Sequence, residues 1–249
     1  MRSLVLVLLA ACSGNSGPHN TVADARVDDA VGSHDAPPDV ATHATAPVHT
    51  LYINADGVTL TLGVDDATQN STELVQHTAI LKPWLMIDAA RATKIGDLAV
   101  ELQTLVAPYD VTITTTRPTS GDYDMFVVTD SDGTAAGFSA GQGGLASLSC
   151  TASAKSIAIQ FAPPYSALTD ETRKHNFAAY ALATFGISSG IPQTKVFGDC
   201  MCYSAQQCGQ ISAPCHIGGA GTAVDNSLCS GPGTMDEGAQ FLAAFGPHA

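Results

Sequence analysis

The sequence predicts an α/β chain of the α+β kind, a mixed sheet with helices against it and a cysteine-rich C-terminal part. Three observations carry that expectation. Short segments with strand patterning recur between residues 49 and 161, two longer segments repeat apolar residues at helical spacing, and five of the seven cysteines fall between Cys200 and Cys229. Strand, helix, strand, strand, helix in that order suits a sheet covered by helices.

The first element comes from His49 to Leu62, where Leu51 and Ile53 on one arm and Val58, Leu60 and Leu62 on the other flank Asp56-Gly57. Alternation around an Asp-Gly pair predicts an N-terminal hairpin. Asp65 to Thr72 is polar and turn-like. From Ala90 to Val106, Ile95, Leu98, Leu102 and Leu105 share one helical face, and Pro108 ends the run. Val111 to Thr116 alternates, with Val111 and Ile113 on the core side. Asp124 to Thr129 and Ser156 to Phe161 are two further strands, while the Gly/Ala/Ser-rich stretch from Thr134 to Ser147 reads as a long loop. Asp130 to Gly133 is a turn rather than a calcium loop, because an EF-hand needs further ligands and a terminal Glu. The second main helix spans Leu168 to Ile187, capped by Thr169 or Asp170, and is apolar around most of its girth. A terminal helix between Gly233 and Phe245 would dock through Phe241, Leu242 and Phe245.

The ends divide the chain into three parts. Residues 1–11 carry Arg2 and the apolar run Leu4 to Ala11, too short to span a bilayer and suited to a signal peptide. Leu9, Ala10, Ala11 and Cys12 resemble a bacterial lipobox, in which the Cys12 thiol takes a diacylglycerol. Anchoring at a membrane by acyl chains, in the cell envelope and on the outer membrane, is therefore expected. Residues 12–48 hold five aspartates, four prolines and only isolated apolar side chains. Such a stretch cannot bury enough surface to offset its ordering entropy, so it reads as a tether, with His19, His34, His43 and His49 as solvated linker histidines. Residues 49–249 remain for one domain with a sizeable core. The formal net charge of −13 with ten Lys plus Arg excludes a basic patch for nucleic acid.

An exported chain forms disulfides. Setting Cys12 aside leaves Cys150, Cys200, Cys202, Cys208, Cys215 and Cys229, enough for three bridges whose fifteen connectivities the sequence leaves open. A metal site from Cys200, Cys202, Cys208 and Cys215 is the rival reading, but it lacks the C-x-x-C knuckle.

Several stretches resemble an exported family of bacterial metzincin-like zinc metalloproteases. Asn54 to Thr61 with its acidic turn, Val111 to Pro118 with Gly121-Asp122-Tyr123, the run from His175 to Tyr203, the cysteines and the closing Phe245-Gly246-Pro247 carry the likeness. The resemblance implies zinc-dependent peptide hydrolysis on the pattern His-Glu-x-x-His-x-x-Gly-x-x-His followed by a Met-turn. Two His four apart share a helix face and one Zn²⁺, and the Glu takes a proton from the metal-bound water. Anchored on Phe185-Gly186-Ile187, with Gly186 reversing the chain, this pattern places the ligands at Ala179, Ala183 and Ser189, the base at Tyr180, and the Met-turn at Met201. Neither alanine can coordinate a metal, and tyrosine, with an ordinary pKa of about 10, is a poor base. The expectation is a membrane-anchored lipoprotein with a catalytically inactive protease-like domain, binding a peptide or protein and carrying no cofactor. The alternative is an active zinc metallopeptidase with a site relocated to His175, His216 and Asp199. A serine hydrolase is a third reading, but no histidine stands in a recognisable motif to act as its base.

Overall fold

The computed structural model describes residues 4–7, 49–148, 151–202, 208–226 and 232–248. Its central sheet has the order β1-β8-β9-β7-β2-β6, built from β1 (Leu4–Val7), β2 (Thr50–Asn54), β6 (Thr112–Thr114), β7 (Asp124–Thr129), β8 (Gly144–Leu148) and β9 (Ile157–Phe161). The strands β6, β2, β7 and β9 are mutually parallel. Strand β8 is antiparallel to β9, and β1 lies antiparallel on β8 with Leu6 opposite Ala146. A second sheet joins β3 (Val58–Leu62) to β4 (Ser71–Thr72) and β5 (Ala79–Leu81), and β10 (Thr222–Ala223) pairs with β11 (Thr234–Met235). Helices α1 (Arg91–Leu105), α2 (Asp170–Ser188) and α3 (Glu237–Phe245) complete the α+β architecture.

The main sheet is buried on both faces, which is why β7 and β9 are buried at every position. On one face Leu51, Ile53, Phe126 and Val128 pack against Leu98 and Leu102 of α1, Phe177 and Phe185 of α2, and Phe241 and Phe245 of α3. On the other face Tyr52, Met125, Val127, Ile159 and Phe161 meet Leu60, Leu74 and Leu81 around the small sheet.

The hairpin expected from His49 to Leu62 does not form. Strand β2 is a central parallel strand between β6 and β7, whereas β3 pairs with β4 and β5. The run Leu51-Tyr52-Ile53 is apolar on both sides, a two-face burial pattern, and only Leu60 of β3 is fully buried. Gly57, at φ +80°, diverts the chain rather than folding β3 back, and a Cβ there would meet Leu81 O at 2.7 Å. The Thr134–Ser147 loop is also corrected. It contains a 3₁₀ turn at Gly133–Ala136, capped by Asp132 Oδ1 accepting from Thr134 N, and then strand β8. Small residues hid β8: Gly144 must lack a Cβ because the Tyr180 ring would lie 2.7 Å from it. Of the terminal helix's three apolar residues, Phe241 and Phe245 dock but Leu242 is exposed. His49 is exposed but attached to the domain, since its Nδ1 lies 3.1 Å from Asp110 Oδ2 and its ring packs edge-on to Phe245.

Candidate functional site

Helix α2 begins at Thr169, whose hydroxyl accepts from Thr172 N at 3.2 Å, with Asp170 and Glu171 in its positive first turn. It follows β9, so its C-terminal half runs back over the sheet, and from Phe177 onward nearly every residue is buried. The helix does not stop at Gly186. The chain reverses at Gly190, φ +83°, where Ile191 N donates to Gly186 O and Gly190 N to Ile187 O, both at 2.9 Å. This pairing satisfies the last carbonyls through a left-handed glycine. Gly186 instead serves a close approach: a Cβ there would collide with Met201 Sδ and lie 2.8 Å from Met201 Cε.

Met201 is fully buried and held by Asp199, whose Oδ1 accepts from Met201 N at 2.8 Å and from Thr194 Oγ1 at 2.7 Å. The turn is tied to the segment around His216 by Cys200 N donating to His216 O and His216 N to Gly198 O, at 2.8 and 3.0 Å. Disulfides Cys200–Cys215 and Cys202–Cys208 staple the same region. All four of these sulfurs are therefore unavailable to a metal, and the bridges place the chain in an oxidising compartment. Cys12, Cys150, Cys229 and Tyr203 lie outside the described residues.

Asp199 has a second partner. Its carboxyl group adjoins that of Glu237, the first residue of α3, and Asp199 Oδ2 and Glu237 Oε1 are both buried with no other hydrogen-bond partner. Both side chains are buried, and Glu237 Oε2 accepts from Gly218 N at 2.5 Å. Burial and then the adjacent Asp199 push the Glu237 pKa up to about 9, so the pair holds one proton at neutral pH. A second buried acid sits under the other side of α2. Asp124 accepts from Ser156 N at 2.8 Å and from Ser188 Oγ, and desolvation raises it to about 7.

The positions assigned from the sequence lie as follows. Ala183 is fully buried, Ala179 packs against the core, and the Tyr180 ring stands 5.9 Å from Phe126. Ser189 donates through Oγ to Phe185 O at 2.9 Å. His175 is buried between carboxylates, with Nδ1 2.8 Å from Glu101 Oε1 on α1 and Nε2 3.2 Å from Glu171 Oε1. Nδ1 thus ties α2 to α1, while Nε2 pairs within α2. His216 is exposed, and Asp199 is spent on the Met201 turn and Glu237. Among the described residues, no group of three His, Cys, Asp or Glu side chains is placed to hold a metal ion. The buried acids Asp124 and Glu237 escaped the sequence reading because each opens an element beside another acid, Asp122 or Asp236, where exposed carboxylates are usual. Comparison with family models, with curated proteins and with solved structures returned no match to this chain.

Proposed function

We propose that this chain is an exported, lipid-anchored protein whose metzincin-like domain has lost its reaction and serves to bind an extended peptide. The observation that carries the reading is the contact of Met201 with Gly186 beneath a helix that reverses at Gly190. A reversing glycine at 190 moves the protease pattern four residues along from its Phe185-Gly186 anchor. The ligand positions become Ala183, Ile187 and Gln193, and the base position becomes Thr184. Each is buried: Ala183 0%, Thr184 7%, Ile187 3% and Gln193 6% exposed. Neither frame offers an imidazole or a carboxylate at a ligand position. The segment after β8 is tied to the end of α2, with Ser153 N donating to Ser188 O at 2.6 Å.

Peptide binding rests on the side of β8 turned away from β9. An antiparallel edge strand offers unpaired N–H and C=O groups to an added strand. The apolar Leu4–Val7 pairs there along four residues, so the edge accepts an extended apolar segment. Removal of the leader, as the lipobox implies, would leave that edge open.

Two measurements on mature protein test the reading. Metal analysis after refolding should find no stoichiometric zinc; one tightly held Zn²⁺ per chain would sink the loss of the reaction. Hydrogen exchange should show slowed exchange at Gly144–Leu148 when a library of extended apolar peptides is added. Unchanged exchange along that strand would remove the binding role.

A further inference from the structure

Trp84, Leu85, Met86 and Ile87 form a turn on the way from β5 to α1. Met86 is 67% and Ile87 94% exposed. Single exposed apolar residues are ordinary. Among the described residues, however, no other two large exposed apolar side chains are neighbours in the chain. The exposed Ala89 and Ala90 extend this surface without adding charge.

The turn is built to hold that pair outward. Leu85 adopts φ +53°, a left-handed conformation costly for leucine, and Asp130 Oδ2 fixes it by accepting from Leu85 N at 2.8 Å. Asp88 N donates to Leu85 O at 3.0 Å, and Arg91 Nε donates to Trp84 O at 2.8 Å. The acid beside the tip, Asp88, is compensated, since its Oδ1 accepts from Ala90 N at 2.8 Å and its Oδ2 lies 2.6 Å from Lys94 Nζ. Backbone strain that several fixed partners maintain collects at functional positions. What this strain maintains is an apolar tip whose flanks are pinned and whose neighbouring charge is paired.

The chain outside the domain points to what covers it. Residues 12–48, at about 3.3 Å each, reach about 120 Å at full extension. A domain the size of residues 49–249 has a radius of gyration of about 16 Å. Any face of the domain can therefore meet the bilayer that holds Cys12, and the tether keeps that bilayer at high effective concentration. The net charge of −13 suits a neutral, zwitterionic surface rather than an anionic one. We infer that Met86 and Ile87 insert into the headgroup region of a zwitterionic bilayer, a second contact that fixes the orientation of the anchored domain. The inference rests on the lipid-anchored reading proposed above.

Met125, Met201 and Met235 are buried, and Met1 belongs to the leader, so in mature protein peroxide reads Met86 selectively. The lipidated mature chain on phosphatidylcholine vesicles is compared by mass spectrometry with the unlipidated Cys12→Ser chain in solution. Sulfoxide formation at Met86 should be slower on vesicles by at least about fivefold, because interfacial side chains lie about 5–10 Å into the headgroup boundary. Ile87→Asp, at an exposed position, should restore the solution rate with unchanged circular dichroism, while the acyl chains still carry the protein with floating vesicles. Equal rates for the floating and the unlipidated chains overturn the inference, as does protection that persists in Ile87→Asp. Protection in isolated cell envelopes but not on pure lipid vesicles would assign the tip to a protein partner and overturn the bilayer contact. A mature chain with no acyl mass at Cys12 overturns the anchored reading itself, and the inference with it.

Discussion

The thioether of Met201 lies against the bare Cα of Gly186, so the turn after Asp199 and the last turns of α2 approach more closely than any side chain at 186 would allow. Gly186→Ala removes the helix penalty of glycine, about 1 kcal/mol, but it drives a methyl group into a fully buried methionine. Overpacking of that kind costs about 1–3 kcal/mol, so net destabilisation of up to about 2 kcal/mol is expected. In a Met201→Ala background the same substitution should be neutral or stabilising. A denaturant double-mutant cycle measures the coupling, and additive effects would show that the two residues do not compete for space.

The proton shared by Asp199 and Glu237 sets a pH dependence. Glu237 ordinarily titrates at 4.5 and does so at about 9 in the folded chain. Between those values the unfolded chain is ionised while the folded chain keeps its proton, so stability falls as pH rises and levels off above about 9. The groups facing it are Asp199 and Tyr109, whose own pKa is raised by burial and by Glu237. Glu237→Gln retains a donor toward Asp199 and an acceptor for Gly218 N but cannot ionise. Its melting temperature relative to the parent should rise steadily from pH 5 to pH 9. A constant difference across that range would mean that no proton is held there.

Asp124 contributes the same sign over a lower window, from 3.8 to about 7. Asp124→Asn can still accept from Ser156 N and can donate to Ser188 Oγ. Its stability relative to the parent should therefore rise between pH 4 and pH 7 and stay level above. Loss of stability at pH 7.5 would show that the carboxylate, rather than its protonated form, is what the site requires.

These acids also mark where sequence reading stops. The strands at 124–129 and 157–161 and the helices at 91–105 and 170–188 were legible because unbroken apolar runs and helical spacing report two-face and one-face burial directly. Strand β8 was hidden because its fit depends on smallness, Gly144 yielding to the ring of Tyr180 across the helix–sheet interface. Asp56-Gly57 gave a hairpin signal because turn chemistry is local, whereas the partners of β3 are set by Ala79–Leu81 and Ser71–Thr72 further along. The reversal of the chain after α2 was misplaced by one helical turn for a related reason. Two glycines, Gly186 and Gly190, stand four apart, and only φ distinguishes the one that reverses the chain.

His175 should behave as a tether between helices. With Glu101 left to Lys174 at 3.5 Å, His175→Ala strips a buried carboxylate of its closest partner, at a cost of about 2–3 kcal/mol. Glu101→Gln keeps a hydrogen-bonding partner for the ring and should cost less. Chemical denaturation measures both. A role as a metal ligand would instead appear as chelator-sensitive stability in the parent that His175→Ala abolishes.

The bridge Cys200–Cys215 closes a loop with a sequence separation of 15, for which restriction of the unfolded chain is worth about 3 kcal/mol. It brackets Met201 and anchors His216 beside Gly198, so its loss should loosen the turn that supports α2 as well as lower the global stability. Replacing both cysteines by serine should cost about 2–4 kcal/mol, and the shorter Cys202–Cys208 loop, with a separation of 6, should cost less when removed the same way. Hydrogen exchange separates the two effects. If the bridge acts only through the unfolded state, all slowly exchanging amides lose protection together. If it also fixes the Met201 turn, Cys200 N and Met201 N, which donate to His216 O and Asp199 Oδ1, exchange faster than the core of α2, and that outcome is the one expected.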